Sequence, residues 1–201
     1  MLKQYSMFQY NNLENDIYYI ENVLSCPELF VNFINDLKEN PAISKWSDWN
    51  SSGNEVTYGS IKHINKDGLK FIPIDSEIYQ RSLYIINSID MAISISFDGY
   101  FEKIQKNKKD FDYYKSLSIR KWNTNIGMGP HADVGYNNPQ YTMLIYINDD
   151  YDGGEINFPN NNLMLKPKAG SAVIFPSKIT HSVNQIFNNN RYTINILCYS
   201  K

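Results

Sequence analysis

The sequence predicts a mainly β fold of jelly-roll type, a double-stranded β-helix with N-terminal helices supporting one sheet. Three observations predict it. Beyond residue 115 the chain offers β-patterned runs at 116–122, 130–134, 140–148, 155–159, 163–167, 171–175, 181–187 and 191–199, with no helical stretch between them. Before that point, two amphipathic stretches carry the spacing of helices. In the last run Arg191, Thr193 and Asn195 share one face and Tyr192, Ile194, Ile196 and Cys198 the other, so a polar wall is backed by an apolar one.

Residues 17–24 read as a strand. Pro27–Glu39 reads as a helix with Ser25 or Cys26 near its cap and Leu29, Phe33 and Leu37 on one face, ended by Pro41. The segment 45–62 mixes Trp46, Trp49 and Tyr58 with Ser, Gly and Asn. It fits a flap carrying aromatic contacts to a substrate, and equally a surface loop with its tryptophans tucked into the core. Asp75 to about Ser96 reads as a longer helix whose stripe includes Ile78, Leu83, Ile86 and Ile89. Both helices are expected on the outer face of the larger sheet, against Ile194 and Ile196. Gly153-Gly154 marks a tight turn or bulge, and the abundant asparagines, such as Asn188 to Asn190, mark turns.

At 201 residues and 42% hydrophobic, the chain can bury the core of one domain spanning 1–201, with a helical and flap-bearing part at 1–115 and the β core at 116–201. A net charge of −2 and a pI near 5.9 argue against nucleic acid or an anionic membrane as partner. The one basic run, Lys103 to Lys109, reads as a solvated loop. The start of the chain lacks an apolar signal core, no stretch is long and apolar enough to span a bilayer, and Cys26 and Cys198 do not form a disulfide framework, so a cytoplasmic location is expected. Oligomeric state is left open.

The chemistry-bearing feature is His131-Ala132-Asp133 with a distant His181. On a strand, positions 131 and 133 point the same way. An imidazole and a carboxylate from one strand plus a second imidazole make the two-His-one-carboxylate set of non-heme Fe(II) oxygenases, which leaves three coordination positions open. The triplet alone is a weak signal. Its context adds to it: Gly127, Gly129 and Pro130 bend the chain just before the pair, and Arg191 opens the strand whose polar face carries Thr193. His63, the remaining histidine, has no matching context.

From about Ser116 onward the chain resembles the Fe(II)- and 2-oxoglutarate-dependent dioxygenases, in particular their prolyl 4-hydroxylase-like branch. The residues that carry the resemblance are HAD at 131–133, YTMLIYIND at 141–149, DGGEINF at 152–158, KPKAGSAVIFPS at 166–177, His181 and RYT at 191–193. It implies that His131, Asp133 and His181 hold Fe(II), that Arg191 binds the distal carboxylate of 2-oxoglutarate, and that Thr193 and Tyr146 add hydroxyls to it. Tyr146 reads equally well as a core aromatic. Many relatives carry a tyrosine where this chain has Met128. The implied cosubstrates are 2-oxoglutarate and O2, with ascorbate as an accessory reductant.

Trp46, Trp49, Trp122 and Tyr136 are candidates to contact a substrate, the last two at the entrance. By resemblance a peptide, prolyl first, is the leading substrate, with another side chain, a free amino acid or a small metabolite as alternatives. Two other classes compete: a metal-binding cupin-like protein with non-oxygenase chemistry, which gives Arg191 and Thr193 no task, and a catalytically silent jelly-roll binding module, which leaves the whole set unexplained.

Overall fold

The computed structural model describes residues 8–39, 47–49, 54–58, 77–135 and 137–201. Three β-sheets and two α-helices make up these residues. The strands are β1 (Gln9–Glu14), β2 (Ile17–Glu21), β3 (Ser47–Trp49), β4 (Asn54–Tyr58), β5 (Phe111–Trp122), β6 (Met128–His131), β7 (Tyr141–Tyr146), β8 (Asp152–Gly153), β9 (Ile156–Phe158), β10 (Leu163–Leu165), β11 (Ala172–Pro176), β12 (His181–Val183), β13 (Ile186–Phe187) and β14 (Arg191–Ser200). The helices are α1 (Glu28–Glu39) and α2 (Glu77–Lys103).

The large sheet has the order β1-β2-β11-β7-β14-β5-β4-β3, and a smaller one the order β10-β9-β12-β6, with β13-β8 as a short pair. All pairings are antiparallel. Every β run expected beyond residue 115 is present as one or two strands, and two sheets built from them are the jelly roll.

Strand alternation divides the interior in two. On β7 and β11, Met143, Ile145, Ala172 and Ile174 face the helices together with Ile194 and Ile196 of β14. Against them α1 lays Phe30, Phe33 and Ile34, and α2 lays residues such as Ile86, Ile89, Ile93 and Phe97. Each such aliphatic side chain, fully buried, contributes roughly 1.5–3 kcal/mol. The opposite faces of the same strands, through Leu144, Tyr146, Val173 and Phe175, meet Ile156 and Phe158 of the smaller sheet.

Three differences from the sequence reading have local causes. The inward face of α1 is Phe30, Phe33 and Ile34, while Leu29 is 39% exposed. The helix is rotated so that the adjacent Phe33 and Ile34, one turn beyond Phe30, reach the sheet together. Next, α2 runs on to Lys103 rather than ending near Ser96, because Phe97, Tyr100 and Phe101 continue its buried stripe. Finally, the described backbone within 45–62 is an antiparallel pair, β3 with β4, that extends the large sheet beside β5. The start of the chain also contributes β1, whose Tyr10 hydroxyl donates to the Ile95 carbonyl oxygen on α2 at 2.8 Å.

Turn chemistry follows the asparagine reading. Asn15, Asn22, Asn125, Asn137, Asn138, Asn162 and Asn188 all adopt positive φ, a conformation that asparagine tolerates better than most residues. Lys108 of the basic run pairs with Asp98 of α2 at 2.5 Å.

Candidate active site

His131 ends β6 and His181 opens β12, and the two are direct cross-strand partners in the smaller sheet. Their ring centroids lie 4.3 Å apart with planes at 52°. Asp133 follows two residues after His131. Its Oδ1 is 3.7 Å from His131 Nε2 and its Oδ2 3.6 Å from His181 Nε2. One ligand atom from each of the three residues lies within 4.8 Å of the others, which is a group able to hold a metal ion.

The remaining hydrogen bonds fix how these side chains present themselves. His131 Nδ1 lies 2.9 Å from the Gly129 carbonyl oxygen and His181 Nδ1 3.1 Å from that of Ile179, each two residues back in its own chain. A carbonyl oxygen only accepts, so Nδ1 carries the proton and a neutral ring turns a bare Nε2 toward Asp133. Burial lowers the pKa of His181, opposed by the nearby Asp133 carboxylate and aided by His131, so burial favours the neutral form that a metal requires. Phe175 packs edge-on to the His181 ring at 4.8 Å between centroids.

Asp133 is held as well. Thr142 Oγ1 donates to its Oδ2 at 2.8 Å, Ser177 Oγ lies 2.9 Å from Thr142 Oγ1, and the Asp133 backbone N–H donates to the Ser177 carbonyl oxygen at 2.9 Å. Thr142 and Ser177 are buried. His181 is 5% exposed in its side chain while His131 and Asp133 are 32% and 24% exposed, so the cluster has a closed back and an open front.

Arg191 is the largest of the fully buried side chains, 1% exposed. Its guanidinium carbon sits 5.0 Å from the centroids of both the Trp122 and Tyr146 rings. Register explains the placement: Arg191 pairs with Trp122 on β5, and Thr193 with Tyr146 on β7. Among the described residues, Arg191 Nε and Nη1 and the hydroxyls of Tyr146 and Tyr151 have no hydrogen-bond partner. Burial raises the pKa of Tyr146 and pushes Tyr151 up to about 12, with Arg191 opposing both, so both are neutral O–H groups at physiological pH. A buried guanidinium with idle donors is costly unless an anion completes it. The interior therefore suits a carboxylate.

Thr193 is otherwise engaged. Its hydroxyl donates to Asn195 Oδ1 at 2.8 Å and accepts from Trp122 Nε1 at 3.3 Å. Trp122 is 2% exposed and forms the floor beneath Arg191, so it does not stand at an entrance. Trp46 and Tyr136 lie outside the described residues, as does His63, and Trp49 is described by backbone only, as the end of β3. Met128 packs with Trp122, Tyr151, Val183 and Ile186, bringing no hydroxyl to that cluster.

Sequence reasoning missed Tyr151, Thr142 and Ser177. The alternation in YTMLIY, which puts Thr142 on the face of Tyr146, was a usable signal for Thr142. An aromatic inside the acidic, glycine-flanked turn DDYDGG was one for Tyr151.

Residues 117–199 match the family model described as the 2OG-Fe(II) oxygenase superfamily. No curated protein sequence matches the chain. Among solved structures it is similar to a viral collagen prolyl hydroxylase from Paramecium bursaria Chlorella virus-1, at 14% identity and TM-score 0.57, covering 92% of this chain and 96% of that one. It is also similar to a Pseudomonas putida prolyl-4-hydroxylase, at 14% identity and TM-score 0.58, covering 93% and 94%. A prolyl hydroxylase from Trichoplax adhaerens, in complex with a hypoxia inducible factor oxygen degradation domain peptide fragment, aligns at 17% identity and TM-score 0.60, covering 92% and 84%. Fold and site together define a jelly roll that carries a His-Asp-His cluster and a buried arginine. Residues 117–199 thus resemble the 2OG-Fe(II) oxygenase superfamily, a family whose reaction uses Fe(II), 2-oxoglutarate and O2.

Proposed function

We propose that this chain hydroxylates a side chain of a peptide or protein, with a prolyl residue as the first candidate, coupled to conversion of 2-oxoglutarate to succinate and CO2. In this reading His131, Asp133 and His181 hold Fe(II), and Arg191 with Tyr146 holds the distal carboxylate of 2-oxoglutarate. The observation that carries it is the pairing of the two sites: a His-Asp-His cluster and, within the same jelly roll, a buried arginine with idle donors.

Bound Fe(II) and 2-oxoglutarate supply activation of O2. The protein's own contribution is positional. The two Nδ1 bonds to Gly129 and Ile179 hold the imidazoles with Nε2 free, and Thr142 holds Asp133 through Oδ2. The guanidinium of Arg191, 5.0 Å from the Trp122 and Tyr146 ring centroids, offers a planar fork to a carboxylate, which a lysine cannot copy. The half-exposed side of His131 and Asp133 leaves the front open to substrate.

A peptide substrate is supported by the complex of the similar Trichoplax adhaerens enzyme with a peptide fragment. A metal-binding protein without oxygenase chemistry has no use for Arg191 as it is placed, and a silent binding module has none for the oriented histidines. Among the described residues no helix is long and apolar enough to cross a membrane. The test is mass spectrometry of a proline-bearing peptide array incubated with the iron-loaded protein, 2-oxoglutarate and O2. Gain of one oxygen atom on a peptide, absent without 2-oxoglutarate, supports the proposal, and conversion of 2-oxoglutarate with a free amino acid alone as acceptor overturns the peptide assignment.

A further inference from the structure

The side chains around Arg191 hold more donors without a geometric partner than the residues read from sequence account for, and the hydroxyl expected from Thr193 is spent elsewhere. Thr193 Oγ1 has one proton, given to Asn195 Oδ1 at 2.8 Å, and one of its lone pairs takes the Trp122 indole N–H at 3.3 Å. To bind an anion Thr193 would have to break its bond to Asn195, whose side-chain oxygen would then lose its donor in a buried setting.

Tyr151 is in the opposite position. It lies in the loop between β7 and β8, 1% exposed, and its hydroxyl has no partner among the described residues. Its ring packs with Trp122, the floor on which Arg191 stacks. From the outer side Lys166 fixes it, donating from Nζ to the Tyr151 carbonyl oxygen at 2.6 Å and lying 5.4 Å from the ring centroid. The hydroxyl lies within reach of the Arg191 guanidinium, which opposes the pKa rise that burial causes, so the phenol is turned toward the arginine. Phenylalanine would fill the same space without that polar group.

We infer that Tyr151 is a binding residue for the distal carboxylate of 2-oxoglutarate, taking the place that Thr193 would fill by resemblance, and that Thr193 is a positioning residue that holds Trp122 beneath Arg191. This rests on the oxygenase reading above. The Arg191 guanidinium and the hydroxyls of Tyr146 and Tyr151 offer donors from three side chains, and a carboxylate has about four lone-pair sites to accept them. The retained proton of Tyr151, whose pKa burial pushes up to about 12, keeps it a donor throughout the physiological range.

The inference predicts a split between the ligand-free and ligand-bound protein. Tyr151→Phe removes an unsatisfied hydroxyl, so the ligand-free protein should melt at the wild-type temperature or above it. Titration of 2-oxoglutarate into the Mn(II)-loaded variant should nevertheless show affinity about ten- to a hundredfold weaker, the size of one hydrogen bond to a charged group. Thr193→Val should lower the melting temperature, because it removes the hydroxyl that bonds Asn195 and the Trp122 indole, with a smaller loss of affinity than Tyr151→Phe. Wild-type affinity in Tyr151→Phe, with Arg191→Lys strongly weakened, would overturn the inference while leaving the oxygenase reading intact. Wild-type protein that takes up Mn(II) but no 2-oxoglutarate would overturn both. A Tyr151→Phe variant that melts lower without ligand and binds normally marks a structural tyrosine and also overturns it.

Discussion

His131 and His181 stand directly opposite each other across the β6–β12 ladder, and each is tied through Nδ1 to the carbonyl oxygen two residues behind it. This repeated arrangement gives two histidines from distant parts of the chain the same orientation toward Asp133. It requires no loop to close, only the pairing of two strands. The protein thus carries its candidate ligand set preformed.

Replacing His131 or His181 by alanine should abolish tight binding of Mn(II) or Fe(II), a larger effect than the roughly 10–100-fold that loss of an outer hydrogen-bond partner costs. Far-ultraviolet circular dichroism should show the fold retained. Calorimetric titration decides it, and wild-type affinity in both variants would remove these residues from the metal site.

Thr142→Val should weaken the metal by about 10–100-fold through its effect on Asp133, while Thr142→Ser, which keeps the hydroxyl, should restore most of the affinity. The two affinities measured side by side separate a lost hydrogen bond from a lost methyl contact.

Arg191→Lys preserves the charge and loses the fork. Affinity for 2-oxoglutarate should fall about ten- to a hundredfold with metal affinity unchanged. Equal loss of both would mean that the substitution disturbs the fold around Trp122 rather than the carboxylate contact.

The metal-free protein should lose stability as the pH falls below 6.5, the ordinary histidine value. Burial lowers the pKa of His181 in the folded state, so between the two values the unfolded chain binds the extra proton and stability falls with pH. Melting curves of wild type and His181→Gln between pH 5 and 8 check this, in the range where histidine titrates. The variant should show the shallower dependence.

Two glycines near the site carry different loads. Gly153 has φ +67, and a Cβ there would lie 2.0 Å from the Gln185 carbonyl oxygen. Gly153→Ala should destabilise the protein by about 1–3 kcal/mol or more. Gly129, with nothing within 4 Å of its Cβ position, should tolerate alanine within about 0.5 kcal/mol. Denaturant midpoints of the two variants test the contrast.

Strand periodicity made the β core legible. It also made legible the face shared by Arg191 and Thr193, because alternation on one strand is a local property. His131 and Asp133 do converge, but β6 ends at His131 and Asp133 lies in the bend beyond it, held by Thr142 and Ser177 rather than by strand alternation. The partners of those residues were harder to read. That Thr193 gives its hydroxyl to Asn195 and receives the Trp122 indole depends on the β14–β5 register, which no local pattern specifies. Nearness in sequence to the ligand strand suggests an entrance position for Trp122. Its register opposite Arg191 buries it instead. On α1 the sequence offers two apolar stripes, one through Leu29 and one through Phe30, Phe33 and Ile34, and only packing against the sheet distinguishes them.

The most direct test of the account is whether the purified, iron-loaded protein converts 2-oxoglutarate to succinate and CO2 and whether that conversion tracks the two sites separately. The account predicts iron-dependent succinate formation by the wild type, none by His131→Ala at any 2-oxoglutarate concentration, and recovery by Arg191→Lys when 2-oxoglutarate is raised. A folded, iron-loaded wild type that releases no succinate across proline-bearing peptides and free amino acids, or a His131→Ala variant as active as the wild type, would contradict it.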